Sequence, residues 1–190
     1  MTPKELREKL ERKPESHKGE NGKLLVIGGS REYTGAPAST AKAAYRSGCD
    51  LVTIATSSRI IDVVAGFSEN FIVRSYGEEF RGGAVEKLNH LMEWCDAAVI
   101  GPGIGEKDPE SITEFAENFD KPLVADADAI KPVARSGNSD IVFTPHSGEL
   151  ERLEKFSDIG AIVDRGNVII EKGKVDKIHS GQGVEKVKGG

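Results

Sequence analysis

Only two cysteines, Cys49 and Cys95, occur in 190 residues, and they form no CxxC pair. That excludes a disulfide framework and the usual zinc and redox motifs. Uninterrupted apolar runs are equally short. Leu24–Ile27 and Ala97–Ile100 fall well below the roughly 20 residues needed to cross a bilayer. The amino terminus carries Lys4, Glu5, Arg7, Glu8 and Lys9 and has no apolar signal-peptide core. Positive charge is in deficit, with 26 Lys+Arg against 31 Asp+Glu and a formal net charge of −5, so the basic footprint of a nucleic-acid binder is missing. Glutamine occurs once, at Gln182, against abundant Glu and Lys, a bias found in proteins from hot environments. What remains is a chain 37% hydrophobic and 30% charged, which describes a soluble globular protein of one domain. The expectation is a cytoplasmic, single-domain protein over residues 1–190, with no nucleic-acid or membrane partner.

The first helix is signalled by Thr2 as N-cap, Pro3 at the first helical position and Glu5 completing a capping box, with a stop before Pro14. A polar lead-in then runs to Lys23, so residues 1–22 are expected as helix and lead-in. Beyond them the text alternates. Leu24–Ile27, Leu51–Ala55, Phe71–Val73, Ala97–Ile100, Leu123–Ala125 and Ile141–Phe143 read as strands. Helices are expected over about 36–47, 58–65, 83–94 and 109–119. Near-continuous apolar runs alternating with helices predict an α/β fold with a mostly parallel sheet and helices on both faces. Residues 160–190 read differently. Ala161–Val163, Val168–Glu171, Val175–His179 and Val184–Val187 are separated by turn residues, the pattern of an antiparallel β-meander.

Each expected parallel strand ends in residues able to do chemistry, and ligands of open α/β sheets bind at the carboxyl ends of the strands. Gly28-Gly29-Ser30 with Thr34-Gly35-Ala36 would let a ligand approach the backbone and favour an anion at the helix start. It matches neither a P-loop nor a GxGxxG fingerprint, and is equally a tight strand–helix turn. Gly101-Pro102-Gly103-Ile104-Gly105 is a rigid loop because Pro102 fixes its own φ and restricts Gly101. It too serves either a ligand or a turn. In Asp126-Ala127-Asp128 one carboxylate could bind a metal or accept a proton, while Asp128 is expected to cap the helix that follows. Thr144-Pro145-His146-Ser147-Gly148-Glu149 is the densest cluster. His146 lies in a strand–helix loop, and Glu149 suits the start of a helix on electrostatic grounds alone. Cys49 and Cys95 are expected to be packing residues.

Taken in order, these loops resemble the ADP/ATP-dependent NAD(P)H-hydrate dehydratases, a family of the ribokinase-like superfamily. The resemblance runs from SHKGENGKLLVIGGSREYTGAPA at Ser16–Ala38 through Ser47–Thr53, IGPGIG at Ile100–Gly105 and DADAI at Asp126–Ile130 to TPHSGELERL at Thr144–Leu153. It implies a three-layer ribokinase-like fold and a lyase that repairs hydrated NADH or NADPH. The ring hydroxyl would be phosphorylated from ADP or ATP, and phosphate would then leave to restore the double bond. It implies that Ala36, Gly103, Gly105 and His146 line the hydrate site, and that Glu149 helps hold Mg²⁺ near the phosphates. Lys172, Gly173, Lys174, Val175 and Asp176 would contact the adenine nucleotide. Family members commonly assemble, so a homo-oligomer is a further expectation.

Two departures accompany the resemblance. The family usually has a longer helical insertion between the His146 loop and the Lys172 strand. Its GTGD motif, which holds the transferring phosphate and supplies the catalytic Asp, would fall just beyond Gly190. Asp126 and Asp128 are the carboxylates left as candidates for the base, although the family has both in addition to the GTGD Asp. The alternatives are therefore a catalytically silent hydrate- or nucleotide-binding homologue, a chain completed by another chain, and a sugar or vitamin kinase of the same fold. The His146 loop resembles the dehydratase rather than the kinase version.

Overall fold

The computed structural model describes residues 11–105 and 108–188. The opening helix expected from Thr2 falls on residues 1–10, outside the described set.

Among the described residues nine strands form one sheet: β1 (Lys23–Ile27), β2 (Leu51–Ser57), β3 (Ile72–Gly77), β4 (Ala97–Ile100), β5 (Leu123–Ala125), β6 (Ile141–Phe143), β7 (Val168–Glu171), β8 (Val175–Ser180) and β9 (Gly183–Lys188). Their order is β3-β2-β1-β4-β5-β6-β7-β8-β9. Every pairing from β3 to β7 is parallel, and β7-β8-β9 is antiparallel. The helices between them are α1 (Gly35–Arg46), α2 (Ile61–Ala65), α3 (Ala84–Trp94), α4 (Pro109–Asn118), α5 (Ile130–Ser136), α6 (Ser147–Glu154) and α7 (Ile159–Asp164). The chain runs outward from β1 to β3, then returns to β4 on the other side of β1. That reversal places a topological switch point between the loops after β1 and β4, where α/β sheets form binding crevices.

The strands form because their residues are apolar on the faces that helices cover. Leu25, Ile27, Ala98, Ile100, Leu123, Ala125, Ile141, Phe143 and Ile169 point into one core, which α3 to α7 close from above with Leu88, Ile112, Phe115, Val133, Leu153 and Ile162. On the opposite face Val26, Val52 and Ile54 meet Ala41 of α1 and Val64 of α2 in a smaller core. Val26, Val99, Val124, Val142 and Val168 stand in one cross-strand register over five parallel strands. Val26 is fully buried. The next four stay half-buried and belong to neither core. Among the described residues, the second helical layer covers β1–β3 only.

Two expectations need correction. Ala161–Val163, expected as a strand, lies inside α7, which Asp158 caps by accepting from the Gly160 N–H at 2.9 Å. Ile162 and Val163 are buried, while Ala161 and Asp164 are exposed, a helical period that the short apolar run concealed. The meander therefore begins at β7, which is itself the last parallel strand. Asp128 does not cap the following helix. Ala129 occupies the N-cap of α5, and Asp128 lies in a 3₁₀ turn (Ala127–Ala129) that ends before it.

At the amino edge of the sheet, Asp50 fastens the lead-in. Its Oδ2 accepts from the Gly19 N–H at 2.9 Å, the Asn21 N–H at 3.0 Å and Asn21 Nδ2 at 2.9 Å. Its Oδ1 faces Arg12 at 2.8 Å. No helix among the described residues is long and apolar enough to cross a membrane.

Candidate active site

The carboxyl ends of β1, β4, β5, β6 and β7 meet through backbone hydrogen bonds, and each loop leans on the next. After β1, the Gly28 N–H donates to Ala55 O at 3.1 Å and the Gly29 N–H to Pro102 O at 2.8 Å. The approach is so close that a Cβ on Gly28 would overlap Pro102 O. After β4, the Gly101 N–H donates to Ile27 O at 3.0 Å, and a Cβ there would overlap Asp126 O, at a φ of +121°. Only glycine fits these two positions. The two glycine loops are thus one interlocked wall, and turn and ligand roles do not exclude each other.

Ala36, in the first turn of α1, stands against Gly103, where an added Cβ would come within 3.1 Å of the Ala36 Cβ. Thr34 makes no side-chain cap and the first turn of α1 holds no acidic residue, so neither a cap nor a carboxylate of that turn serves its first N–H groups. Tyr76 braces this wall from below. Its hydroxyl donates to Gly29 O at 2.7 Å, and burial pushes its pKa up.

Asp126 follows β5 with its N–H on Ile100 O at 3.0 Å. Its Oδ1 accepts from Thr144 Oγ1 at 2.7 Å and from Lys172 Nζ at 2.8 Å. The next residue, Ala127, has φ +48°, a conformation that costs a non-glycine residue on the order of 1–2 kcal/mol. The turn swings Asp128 back so that its Oδ2 accepts from the Gly105 N–H at 3.1 Å. Asp128 and Glu149 then face one cleft of about 60 Å³.

After β6, His146 is the N-cap of α6. Its Nδ1 accepts from the Gly148 N–H at 3.0 Å, while its own N–H donates to Glu149 Oε2 at 2.8 Å, a reciprocal capping box. With Nδ1 accepting, the neutral ring carries its proton on Nε2, which lies 3.6 Å from Glu149 Oε1. His146 pairs with Lys172 as an isolated parallel bridge, and the Lys172 N–H donates to Pro145 O at 2.8 Å. Lys172, Gly173 and Lys174 form the connection from β7 to β8, and Val175 and Asp176 open β8. Asp176 closes it by accepting from the Gly173 N–H at 2.9 Å.

The structure gathers the expected residues into two groups on one rim. Ala36, Gly103 and Gly105 form one, with Asp128 holding Gly105; Asp126, His146, Glu149 and Lys172 form the other. Sequence reasoning gave no role to Thr144 and Tyr76, because a hydroxyl's partner depends on which strands become neighbours. Among the described residues no three His, Cys, Asp or Glu side chains cluster as a metal cage. Burial, the first cause at each, raises the Cys49 and Cys95 thiols, consistent with packing roles. A larger concavity of about 620 Å³ lies at the amino edge, beside Arg12, Tyr45 and Asp50. It is an open groove between lead-in and sheet, away from these loops.

A family model described as NAD(P)H-hydrate dehydratase matches residues 24–188. An ADP-dependent (S)-NAD(P)H-hydrate dehydratase of Haloterrigena turkmenica is 36% identical over 162 residues, covering 84% of this chain and 63% of the relative. A bifunctional NAD(P)H-hydrate repair enzyme of Archaeoglobus fulgidus is 39% identical over 175 residues, covering 90% of this chain and 37% of the relative. The chain thus spans less than two thirds of the length of these curated relatives. In fold it is similar to a ribokinase-like superfamily protein of Enterococcus faecalis, with a TM-score of 0.78, 22% identity and coverage of 97% and 70% of the two chains. The ADP/ATP-dependent NAD(P)H-hydrate dehydratase of Bacillus subtilis, crystallised with ATP/Mg²⁺, gives a TM-score of 0.74 at 24% identity, covering 95% and 68%.

Proposed function

The chain belongs to the NAD(P)H-hydrate dehydratase family, and from that premise we propose that its carboxyl-edge rim binds hydrated NADH or NADPH beside ADP or ATP, for nucleotide-dependent dehydration. The observation that carries this reading is the pairing of His146 with Lys172. It sets the residue assigned to the hydrate next to the first residue assigned to the nucleotide, the adjacency that phosphoryl transfer between two bound molecules requires.

In this reading Ala36, Gly103 and Gly105 offer backbone and a small side chain to the flat ring. His146, its proton on Nε2, donates a hydrogen bond toward the substrate. Lys172, oriented by Asp126 and Thr144, presents a cation to phosphate oxygens, with Gly173, Lys174, Val175 and Asp176 lining the nucleotide beyond it. Glu149 fits a magnesium ion that keeps its waters and phosphate ligands, since its Oε1 takes no backbone N–H while Oε2 does. Such an ion would supply charge neutralisation at the phosphates.

One observation favours a second reading, binding without turnover. Asp126 already accepts from Lys172 and Thr144, and Asp128 from Gly105. Both rim carboxylates are thus engaged in positioning rather than poised to take the hydroxyl proton. Recovery of reduced-nicotinamide absorbance from hydrated NADH, with Mg²⁺ and either ADP or ATP, separates the two. Nucleotide-dependent recovery supports dehydration. Binding of hydrate and nucleotide without recovery supports the second reading, and binding of neither sinks both.

A further inference from the structure

At the amino edge of the sheet, opposite the rim, Asn21 and Gly22 form the one Asn-Gly step in the sequence. Asparagine is thermally labile, and a following glycine has no side chain to shield its amide nitrogen from the asparagine Cγ. The structure leaves that nitrogen uncommitted. The Gly22 carbonyl accepts from the Asp50 N–H at 3.1 Å and the Leu51 N–H at 3.2 Å, whereas the Gly22 N–H donates to no group among the described residues. The space around it is open as well. Gly22 stands at φ +101°, and a Cβ added there would meet nothing nearer than Cys49 Sγ at 3.9 Å.

The side chain that this nitrogen would attack is held. Asn21 Nδ2 donates to Asp50 Oδ2 at 2.9 Å and to Ser16 Oγ at 3.2 Å. Its backbone N–H reaches the same Asp50 oxygen at 3.0 Å. The carboxylate that fastens the lead-in therefore also restrains the amide that would react.

We propose that Asn21–Gly22 is a self-modification site gated by Asp50: local opening of the lead-in lets Asn21 deamidate, and the product does not refasten. The Gly22 nitrogen gives its proton to hydroxide and attacks Asn21 Cγ. The Cγ–Nδ2 bond breaks, and Nδ2 takes a proton from water and leaves as ammonia, which closes a five-membered succinimide. Water then opens the ring, at Cγ to give aspartate or at the main-chain carbonyl carbon of residue 21 to give isoaspartate. Either product sets a carboxylate against Asp50 where an amide had donated, and like charges in contact repel. In isoaspartate the main chain also runs through Cγ and is longer by one bond of about 1.5 Å, which draws the Gly22 carbonyl away from the Asp50 and Leu51 N–H groups. The lead-in, with the groove of about 620 Å³ beside it, comes free of the start of β2 while the rim stays intact.

The test is mass-spectrometric peptide mapping of the full chain aged at mildly alkaline pH, folded and unfolded in urea. Exchange of NH for O at Asn21, with enzymatic methylation of isoaspartate, reports the reaction. The folded chain should react at Asn21 ahead of its other asparagines, yet more slowly than the unfolded chain. Asp50→Asn should raise the folded rate by about tenfold, the scale of one charge-assisted hydrogen bond. Ser16→Ala, which leaves the carboxylate in place, should raise it by less and keeps the test readable if Asp50→Asn does not fold. Lys121→Met, which strips donors from the carbonyls at the end of α3, weakens the fold elsewhere and should leave the rate unchanged. Equal rates in the folded and unfolded chains overturn the gating, as does acceleration in Lys121→Met matching that of the lead-in variants. An Asn21 that stays intact in every folded protein overturns the site. Asn21→Asp should speed proteolysis within residues 13–22, and unchanged resistance there overturns the release.

Discussion

Lys172 and Asp126, 46 residues apart in sequence, meet at 2.8 Å between Nζ and Oδ1 just past the ends of the outer two of three parallel neighbours, β5, β6 and β7. The contact is half-exposed, with side-chain accessibilities of 48% and 29%, so as an ion pair it adds little to stability. Its consequence is orientation: a long flexible cation is held at the rim by a carboxylate that Thr144 also fixes. Replacing Lys172 by Met should weaken ADP and ATP binding by roughly tenfold or more, the scale of a charge-assisted phosphate contact. Asp126→Asn should cost less, since the cation remains but loses its tether. Titration calorimetry with Mg²⁺-nucleotide checks both, and unchanged affinity in Lys172→Met would remove that residue from the nucleotide site.

The interlocked glycine wall predicts a sharp structural penalty. Gly101→Ala would drive its methyl into Asp126 O and hold alanine at φ +121°, so destabilisation of at least about 3 kcal/mol is expected. Urea unfolding measures it. A loss below about 1 kcal/mol would mean that the loops after β4 and β5 separate more easily than their contact implies.

Lys121 caps α3 from outside. Its Nζ donates to Met92 O at 2.7 Å, Glu93 O at 2.8 Å and Cys95 O at 2.7 Å, satisfying carbonyls that a helix end leaves open. Lys121→Met keeps the aliphatic stem and removes the donors, so a loss of about 1–3 kcal/mol is expected. Lys121→Arg should recover part of it, and thermal unfolding of the three proteins gives the comparison.

The fastening at Asp50 gives the fold a pH dependence of known sign. The Asn21 side chain is the main cause that holds this carboxyl below the ordinary aspartate range. Burial opposes it, and the backbone N–H groups of Asn21 and Gly19 and the Arg12 guanidinium lower it further. A folded pKa below the unfolded one contributes stability above the unfolded value, and that contribution is lost as pH falls through the folded value. Asp50→Asn should therefore be less stable than the unaltered chain at neutral pH, with the gap shrinking below about pH 4. A gap that stays constant from pH 7 to pH 3 would show that packing, not charge, makes the difference.

Strand positions and the loops that follow them were legible in the sequence where local rules suffice. Short apolar runs ending in Gly, Asp or Pro-His located β1, β4, β5 and β6, and the helix expected from Pro109 is α4, whose N-cap Asp108 accepts from the Ser111 N–H. The readings that failed depended on context. Ala161–Val163 has the composition of a strand but only three residues of apolar run, too few to separate a period of 2 from 3.6. Asp128 lies where a cap belongs, yet the left-handed Ala127 turns it toward Gly105. Contacts such as Asp126–Lys172, Tyr76–Gly29 and Arg59–Glu78 arise from which strands become neighbours, a property that no local spacing encodes.

The register row from Val26 beneath α1 to Val168 has a practical corollary. Dyes such as anilinonaphthalene sulfonate brighten on partly unfolded proteins because native ones hide their apolar surface. Here half-buried valines stand in line on an intact sheet, so the folded chain itself should light the dye. Its fluorescence would then decline as the strands separate, and a melting curve read from it would run backwards. Trp94, the single tryptophan, half-buried at the end of α3, reports unfolding of this chain without that inversion.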